Sequence, residues 1–256
     1  MSTRGDWHED DEFWRSCARV MFDSERWVRA EGEAEQAARL MGASAGDSIL
    51  DACCGPGRHA LSLAKHGFIV TGVDRTRAFI EEGSQRAERA GVDIEWVLAD
   101  VREFVRPSGF DHAINLYTSF GYFDDPQEDL AFARNLFASL KPGGRLLIQT
   151  VGKETIARNF EERTWLEQDG LVLLQEHRLV GAFAQIETRW TMITGSNRRE
   201  VSFVVRLYSA AELVHLLRQA GFEAVRVLGD LSGVPYDQNA RRLVVLAHKA
   251  AEPGSR

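Results

Sequence analysis

The segment Ile49-Leu50-Asp51-Ala52-Cys53-Cys54-Gly55-Pro56-Gly57-Arg58-His59-Ala60 holds the densest chemistry of the 256-residue chain. A strand that runs through glycines into a helix brings bare backbone N–H groups and the positive helix end close to a ligand. Gly55 and Gly57 permit the tight turn and a close approach of ligand to backbone. Gly55, Gly57 and Ala60 satisfy the G-x-G-x-x-G/A spacing of dinucleotide-binding loops, a short pattern that also arises by chance. Three acids narrow the choice. Asp74 closes the next apolar run, where a carboxylate accepts hydrogen bonds from ribose hydroxyls. Asp51, four residues before Gly55, would repel a pyrophosphate but accept an ammonium. Asp100 ends a third run, where it could hold the exocyclic amine of an adenine.

Elements must bring these acids together. Residues 48–51, 68–74, 94–100, 110–116 and 145–150 are near-continuous apolar runs and predict strands. Between them, the stretch from the glycine loop to Lys65, residues 76–90 and residues 126–140 carry helical patterning. Such alternation means a parallel sheet covered on both faces, with Asp51, Asp74 and Asp100 on its carboxyl edge. Upstream, residues 12–41 are patterned as helix and Gly42 is a stop. Downstream the alternation breaks: residues 170–181, 183–194 and 199–208 read as three longer strands, the last pair joined by Gly195-Ser-Asn197. These predict an antiparallel insert over one end of the main sheet. A helix over 210–220 with Gly221 as its cap, and strands near 224–229 and 242–248, return to pattern. The expected organisation is an N-terminal helical segment (1–46) closing a pocket, a cofactor-binding core (47–150), an antiparallel β cap insert (151–208) and the end of the core sheet (209–250). Residues 251–256 read as a frayed tail.

A ligand carrying an amine, a ribose and an adenine suits the three acids, and S-adenosylmethionine has all three, plus a carboxylate for the helix N-terminus. The motifs agree. Leu50-Asp-Ala-Cys-Cys-Gly-Pro-Gly-Arg-His59, Val-Thr-Gly-Val-Asp74, Leu98-Ala-Asp100-Val101, Asn115-Leu-Tyr-Thr-Ser119 and Lys141-Pro-Gly-Gly144 occur in the order of the motifs of class I S-adenosylmethionine-dependent methyltransferases. The sequence resembles that family strongly over 47–150 and more loosely to the last strand. The resemblance implies an α/β, Rossmann-like, doubly wound seven-stranded sheet whose last strand is antiparallel. It also implies that backbone at Cys53, Gly55 and Gly57 approaches the methionine moiety near Asp51. Asp74 would take the ribose hydroxyls, Arg75, Asp100 and Val101 would frame the adenine, and Asn115, Leu116 and Tyr117 would lie beside the sulfonium. Cys53 departs from the pattern, standing where the family has the first glycine of its loop.

The activity this implies is transfer of a methyl group to an O, N or C nucleophile of a small molecule. Two rivals stand beside it. One is a protein that binds S-adenosylmethionine without methylating. The other is a nicotinamide-dependent oxidoreductase, which Asp51 and the Pro-Gly-Gly turn oppose. For the acceptor site the candidates are Trp14, Tyr117, Tyr122, Trp190, Tyr208 and Tyr236, because aromatics of the N-terminal segment, the sheet's carboxyl edge and the insert are placed to enclose it. No catalytic base declares itself; Tyr117, Tyr122 and His177 are the candidates. His59 and His112 read as packing.

Composition removes other classes. Lys and Arg total 31 against 38 Asp and Glu, a net charge of −7. Without a basic run, that field offers nothing to nucleic acid. No apolar run reaches the roughly 18 to 20 residues that span a bilayer. The polar, acidic start from Met1 to Asp11 does not read as a signal peptide. Cys17, Cys53 and Cys54 match neither a disulfide framework nor a zinc site, so a cytoplasmic protein without metal is expected. The acids of His8-Glu-Asp-Asp-Glu12 and Asp124-Asp125-Pro126 read as helix starts rather than metal ligands. A monomer or homodimer is expected, the latter through an exposed strand of the insert.

Overall fold

The computed structural model describes residues 7–251. Most of the tail expected to fray, and the first half of the acidic start, lie outside them.

A 3-10 turn, Trp7–Glu9, precedes two helices, α1 (Asp11–Met21) and α2 (Ser24–Met41). The helical patterning over 12–41 marks no stop before Gly42, but the chain breaks at Phe22. Asp23 is the reason: its carboxylate accepts the Arg26 N–H at 2.8 Å and starts a second helix. Gly42, at φ 62°, ends α2 in the left-handed conformation that glycine adopts freely.

The core alternates β1 (Ser48–Ala52), α3 (Arg58–Lys65), β2 (Ile69–Asp74), α4 (Arg77–Ala90), β3 (Ile94–Leu98), β4 (Phe110–Asn115), α5 (Pro126–Ser139) and β5 (Leu140–Thr150). After a short helix α6 (Lys153–Arg158) come β6 (Arg163–Gln168), β7 (Leu171–Val180), β8 (Gln185–Thr194) and β9 (Asn197–Arg206). Helix α7 (Ala210–Ala220), β10 (Ala224–Leu228) and β11 (Leu243–His248) complete the chain. The main sheet has seven strands in the order β10-β11-β5-β4-β1-β2-β3. Its strands are parallel except β11, which runs antiparallel to both β5 and β10. The order reverses between β1 and β4, and a ligand crevice opens at such a switch point. Leu50, Ala113, Leu146 and Val245 bury one face of the sheet; Ile49, Ile114, Leu147 and Val244 bury the other.

Strands β6 to β9 form a separate antiparallel sheet. The sequence reading expects three strands there, and β6 is the fourth. Its residues Arg-Thr-Trp-Leu-Glu-Gln alternate between exposed and half-buried, and Trp165 is 69% exposed. An edge strand with one dry side carries too weak an apolar signal to be read alone. The inner face of this sheet, including Leu173, Met192 and Val205, packs with Trp7, Phe13 and Trp14 in a third apolar cluster. The N-terminal segment is thus held between the insert and the core.

Candidate functional site

Between the carboxyl edge of the main sheet, the N-terminal segment and the insert lies a cavity of about 370 Å³. Its floor is the loop from β1 to α3. Cys53 leaves β1 at φ 60°, Gly55 follows at φ 56° and Gly57 at φ 79°. Cysteine therefore takes a left-handed conformation in the position where the motif it resembles has glycine, a strained state for a side-chain-bearing residue. Hydrogen bonds hold the loop there. Cys54 N–H donates to Val73 O at 3.0 Å, Gly57 N–H to Cys54 O at 3.0 Å, and Gly55 N–H to Asp74 Oδ2 at 2.8 Å. Burial, with Asp74 nearby, pushes the Cys53 thiol well above its usual range. It is a neutral packing group rather than a thiolate nucleophile.

The three acids line this cavity and differ in their partners. Asp51 is 2% exposed; the Ala60 N–H reaches its carboxyl, but Oδ2 has no hydrogen-bond partner among the described residues. Burial pushes it up to about 7, against the pull of Arg58. A buried oxygen in that state calls for a cationic or donor ligand. Asp74 accepts from Gly55 N–H and, through Oδ1, from Thr76 N–H at 2.8 Å. Burial still raises it overall. For Asp100, burial opposes ionisation, but hydrogen bonds from the Arg102 side chain and backbone outweigh it and hold the carboxyl below its ordinary value.

Arg58, unassigned by the motif, also reaches the cavity. It is 4% exposed, its guanidinium lies 3.4 Å from the centre of the Tyr117 ring, and Glu33 is 3.8 Å away. Glu33 also receives the Tyr117 hydroxyl at 2.8 Å and lies 2.9 Å from His59 Nε2. The sequence held one signal for this cluster: a cation in the first turn of α3, where the helix dipole disfavours it and a carboxylate partner is needed. Arg26 of α2 shares the wall.

Cys53, Gly55, Arg75, Val101, Leu116, Tyr117, Tyr122, Trp14 and Trp190 all reach the cavity wall. Five other residues expected at the site do not. Gly57 backs onto Trp96, which any side chain at that position would strike. Asn115 is fully buried beneath the floor, and its Nδ2 donates to Ala52 O at 2.9 Å, so it braces the loop from below. His177 sits farther along β7, Nδ1 3.0 Å from Thr188 Oγ1. Tyr208 turns into the core and donates to Asp129 Oδ2 at 2.7 Å; Tyr236 donates to Glu154 Oε2 at 2.9 Å. Side-chain direction in loops and at strand ends is set by tertiary packing, and residue type could not foretell it.

Above the floor the wall is mostly apolar: Trp7, Phe79, Leu166, Leu173 and Phe203 join Trp14, Tyr122 and Trp190. Their rings interlock, with Trp7 to Tyr122 at 4.8 Å and Trp190 to Phe203 at 5.1 Å between centroids. Burial pushes the Tyr122 phenol well above its usual range, so it stays protonated. The cavity has a charged end over the glycine loop and an aromatic end under the insert.

A family profile described as a methyltransferase domain matches residues 49–144. The chain is 25% identical over 222 residues to the putative methyltransferase YqeM of Bacillus subtilis, covering 79% of this chain and 84% of that one. It is 32% identical over 108 residues to the ubiquinone biosynthesis O-methyltransferase of Coxiella burnetii, a match over 42% of this chain and 45% of that relative. Among solved structures, the CcbJ methyltransferase of Streptomyces caelestis superimposes with a TM-score of 0.76 at 20% identity, covering 87% of this chain and 90% of that one.

Proposed function

We propose that this chain, a class I S-adenosylmethionine-dependent methyltransferase, moves the methyl group to an O, N or C nucleophile of a small molecule held beneath the antiparallel insert. The observation that carries the reading is the unpartnered Asp51 Oδ2 at the charged end of a cavity whose other end is aromatic. When bound, S-adenosylmethionine supplies an electrophilic methyl on a sulfonium. The residues present fit it: Asp51 would face the ammonium, Arg58 and Arg26 would offer cations to the carboxylate, Asp74 would accept from ribose hydroxyls, and Arg75, Asp100 and Val101 would frame the adenine. A pyrophosphate would meet Asp51 as a like charge, which counts against a nicotinamide dinucleotide.

The aromatic walls would exclude water and position the acceptor for the methyl that the cofactor supplies. Alignment of two reactants at about 3 to 3.5 Å is worth on the order of 7 to 11 kcal/mol. A general base must come within hydrogen-bond reach of the proton it takes. Tyr122 is held protonated and His177 is off the cavity, so an acceptor nitrogen with a free lone pair asks least of these side chains. The test is calorimetric titration with S-adenosylhomocysteine, NADH as control and Asp74→Ala as the variant. It is followed by transfer of an isotope-labelled methyl to a panel of small amines, phenols and acidic carbon compounds. Micromolar binding lost in the variant, with label in product, supports the proposal. Preference for NADH would overturn the cofactor reading, and binding with turnover of a panel compound but no label transferred would favour a non-methylating role.

A further inference from the structure

His8 has no part in the methyl-transfer reading, yet its side chain is a buried polar group on the cavity wall. His8 is 4% exposed, and neither Nδ1 nor Nε2 has a hydrogen-bond partner among the described residues. The nearest carboxylate, Glu9 Oε1, is 3.8 Å from Nε2 and is itself engaged by Arg102 at 2.5 Å. Burial, reinforced by the positive charge of Arg102, lowers the affinity of the ring for a proton. One nitrogen is then a donor and the other an acceptor. Leaving both dry and unpaired is costly, and such groups in folded proteins are normally matched by a partner or a ligand.

Its position says which ligand. The His8 carbonyl accepts from Arg75 Nη1 at 2.9 Å, and the ring packs edge-on to Phe123 at 5.3 Å between centroids. Arg75, Asp100, Val101 and Phe123 share that end of the wall with it. Given the cofactor reading, this is the adenine end. An adenine edge presents an amine donor beside a ring-nitrogen acceptor; the two imidazole nitrogens point away from each other, so one of them bonds that edge, as acceptor from the amine or as donor to the ring nitrogen.

The neighbouring residue extends the consequence. Trp7, on the same short turn, is 2% exposed and stands in the aromatic wall against Tyr122 and Phe203. Its Nε1–H donates to Val204 O of β9 at 2.9 Å, and Trp14 Nε1–H donates to His8 O at 2.8 Å. One turn thus touches the cofactor end, the acceptor end and the insert.

We infer that His8 reads the adenine of the bound cofactor through its imidazole, and that this contact adds to the bonds already holding the Trp7–Glu9 turn, so that bound cofactor steadies the acceptor wall. Cofactor binding then favours acceptor binding. The inference rests on the S-adenosylmethionine reading, and its test separates the two.

The experiment titrates S-adenosylhomocysteine into the full-length wild type, His8→Phe, which keeps a flat ring without hydrogen bonds, and His8→Gln, which restores one donor and one acceptor. Amide hydrogen exchange over residues 7–22 is followed with and without saturating ligand. His8→Phe should weaken binding at least about tenfold and His8→Gln by no more than about threefold. Ligand should slow exchange over 7–22 in the wild type and His8→Gln but not in His8→Phe, with 51–57 protected in all three. If His8→Phe does not fold, His8→Ala takes its place. Wild-type affinity and the same slowing in the ring variant would overturn the inference while leaving the cofactor reading intact. Failure of the wild type to bind would overturn both.

Discussion

The guanidinium carbon of Arg58 lies 3.4 Å from the centre of the Tyr117 ring, and the Tyr117 hydroxyl donates to Glu33 at 2.8 Å. Glu33, on α2, therefore anchors both members of a stacked pair that comes from α3 and from the loop after β4. Tyr117 and Thr118 stand at φ 65° and φ 67°, so this contact also holds a strained backbone beside the cavity. A flat cation is needed to stack and to reach the Glu33 carboxylate at once. Arg58→Lys keeps the charge and loses the plane. We expect it to weaken S-adenosylhomocysteine binding about tenfold and to cost about 1 to 2 kcal/mol of stability, of the order of a desolvated cation–π contact. Calorimetry and urea unfolding would check both; wild-type values for each would remove Arg58 from the site.

Asp51 gives a pH signature. Its folded value is pushed up to about 7 from an ordinary 3.8, so between those values the native state binds more protons than the unfolded one. Stability from this group therefore falls as pH rises through that window. Asp51→Asn should flatten the fall in the melting temperature of the ligand-free protein between about pH 5 and about pH 7. At about pH 6, S-adenosylhomocysteine should release a proton from Asp51 as its ammonium takes that place. Titrations in two buffers of different ionisation heat would show the release. An unchanged pH profile in the variant would count against a buried, protonated Asp51.

Cys53, at φ 60°, makes an opposite pair of predictions. Cys53→Gly relieves a left-handed strain of about 1 to 2 kcal/mol but loosens the unfolded chain, so its stability should stay within about 1 kcal/mol of wild type. Cys53→Val puts a β-branched side chain in that conformation and should lose about 2 kcal/mol or more. Chemical denaturation of the two variants decides it; a valine variant as stable as the glycine one would show that the loop does not hold this backbone.

Two tyrosines separate site from scaffold. Tyr122 is on the cavity but held protonated, so Tyr122→Phe should keep turnover within about threefold, since an acid-base role would cost about a hundredfold or more. Tyr208 is off the cavity. Its hydroxyl serves Asp129, which is fully buried and pushed up to about 6 by that burial. Tyr208→Phe leaves that carboxyl short of a donor and should cost about 1 to 3 kcal/mol with no change in S-adenosylhomocysteine affinity. A shifted affinity would place Tyr208 back in the site.

Much of the core is legible in the sequence. The strand-loop-helix signal at Asp51 to Arg58, the alternation up to Thr150 and the closing strands all match the seven-stranded sheet and its antiparallel β11. The break at Phe22 and the strand β6 were not legible. The first depends on one capping side chain inside a continuous helical pattern, and the second on an edge strand with little apolar face.

By itself the sequence determined which residues share the carboxyl edge of the sheet. Period, turn chemistry and strand ends are local properties, and they place Asp51, Asp74 and Asp100 together whatever surrounds them. Only the tertiary structure decided what those residues face. The Trp7 indole meets Val204 across 197 residues of chain, and Glu33 meets Tyr117 across 84. Such contacts leave no trace in neighbouring residue types. They depend on how the insert and the N-terminal turn pack over the sheet, and that packing put His8 and Arg58 on the cavity wall and left His177, Tyr208 and Tyr236 off it.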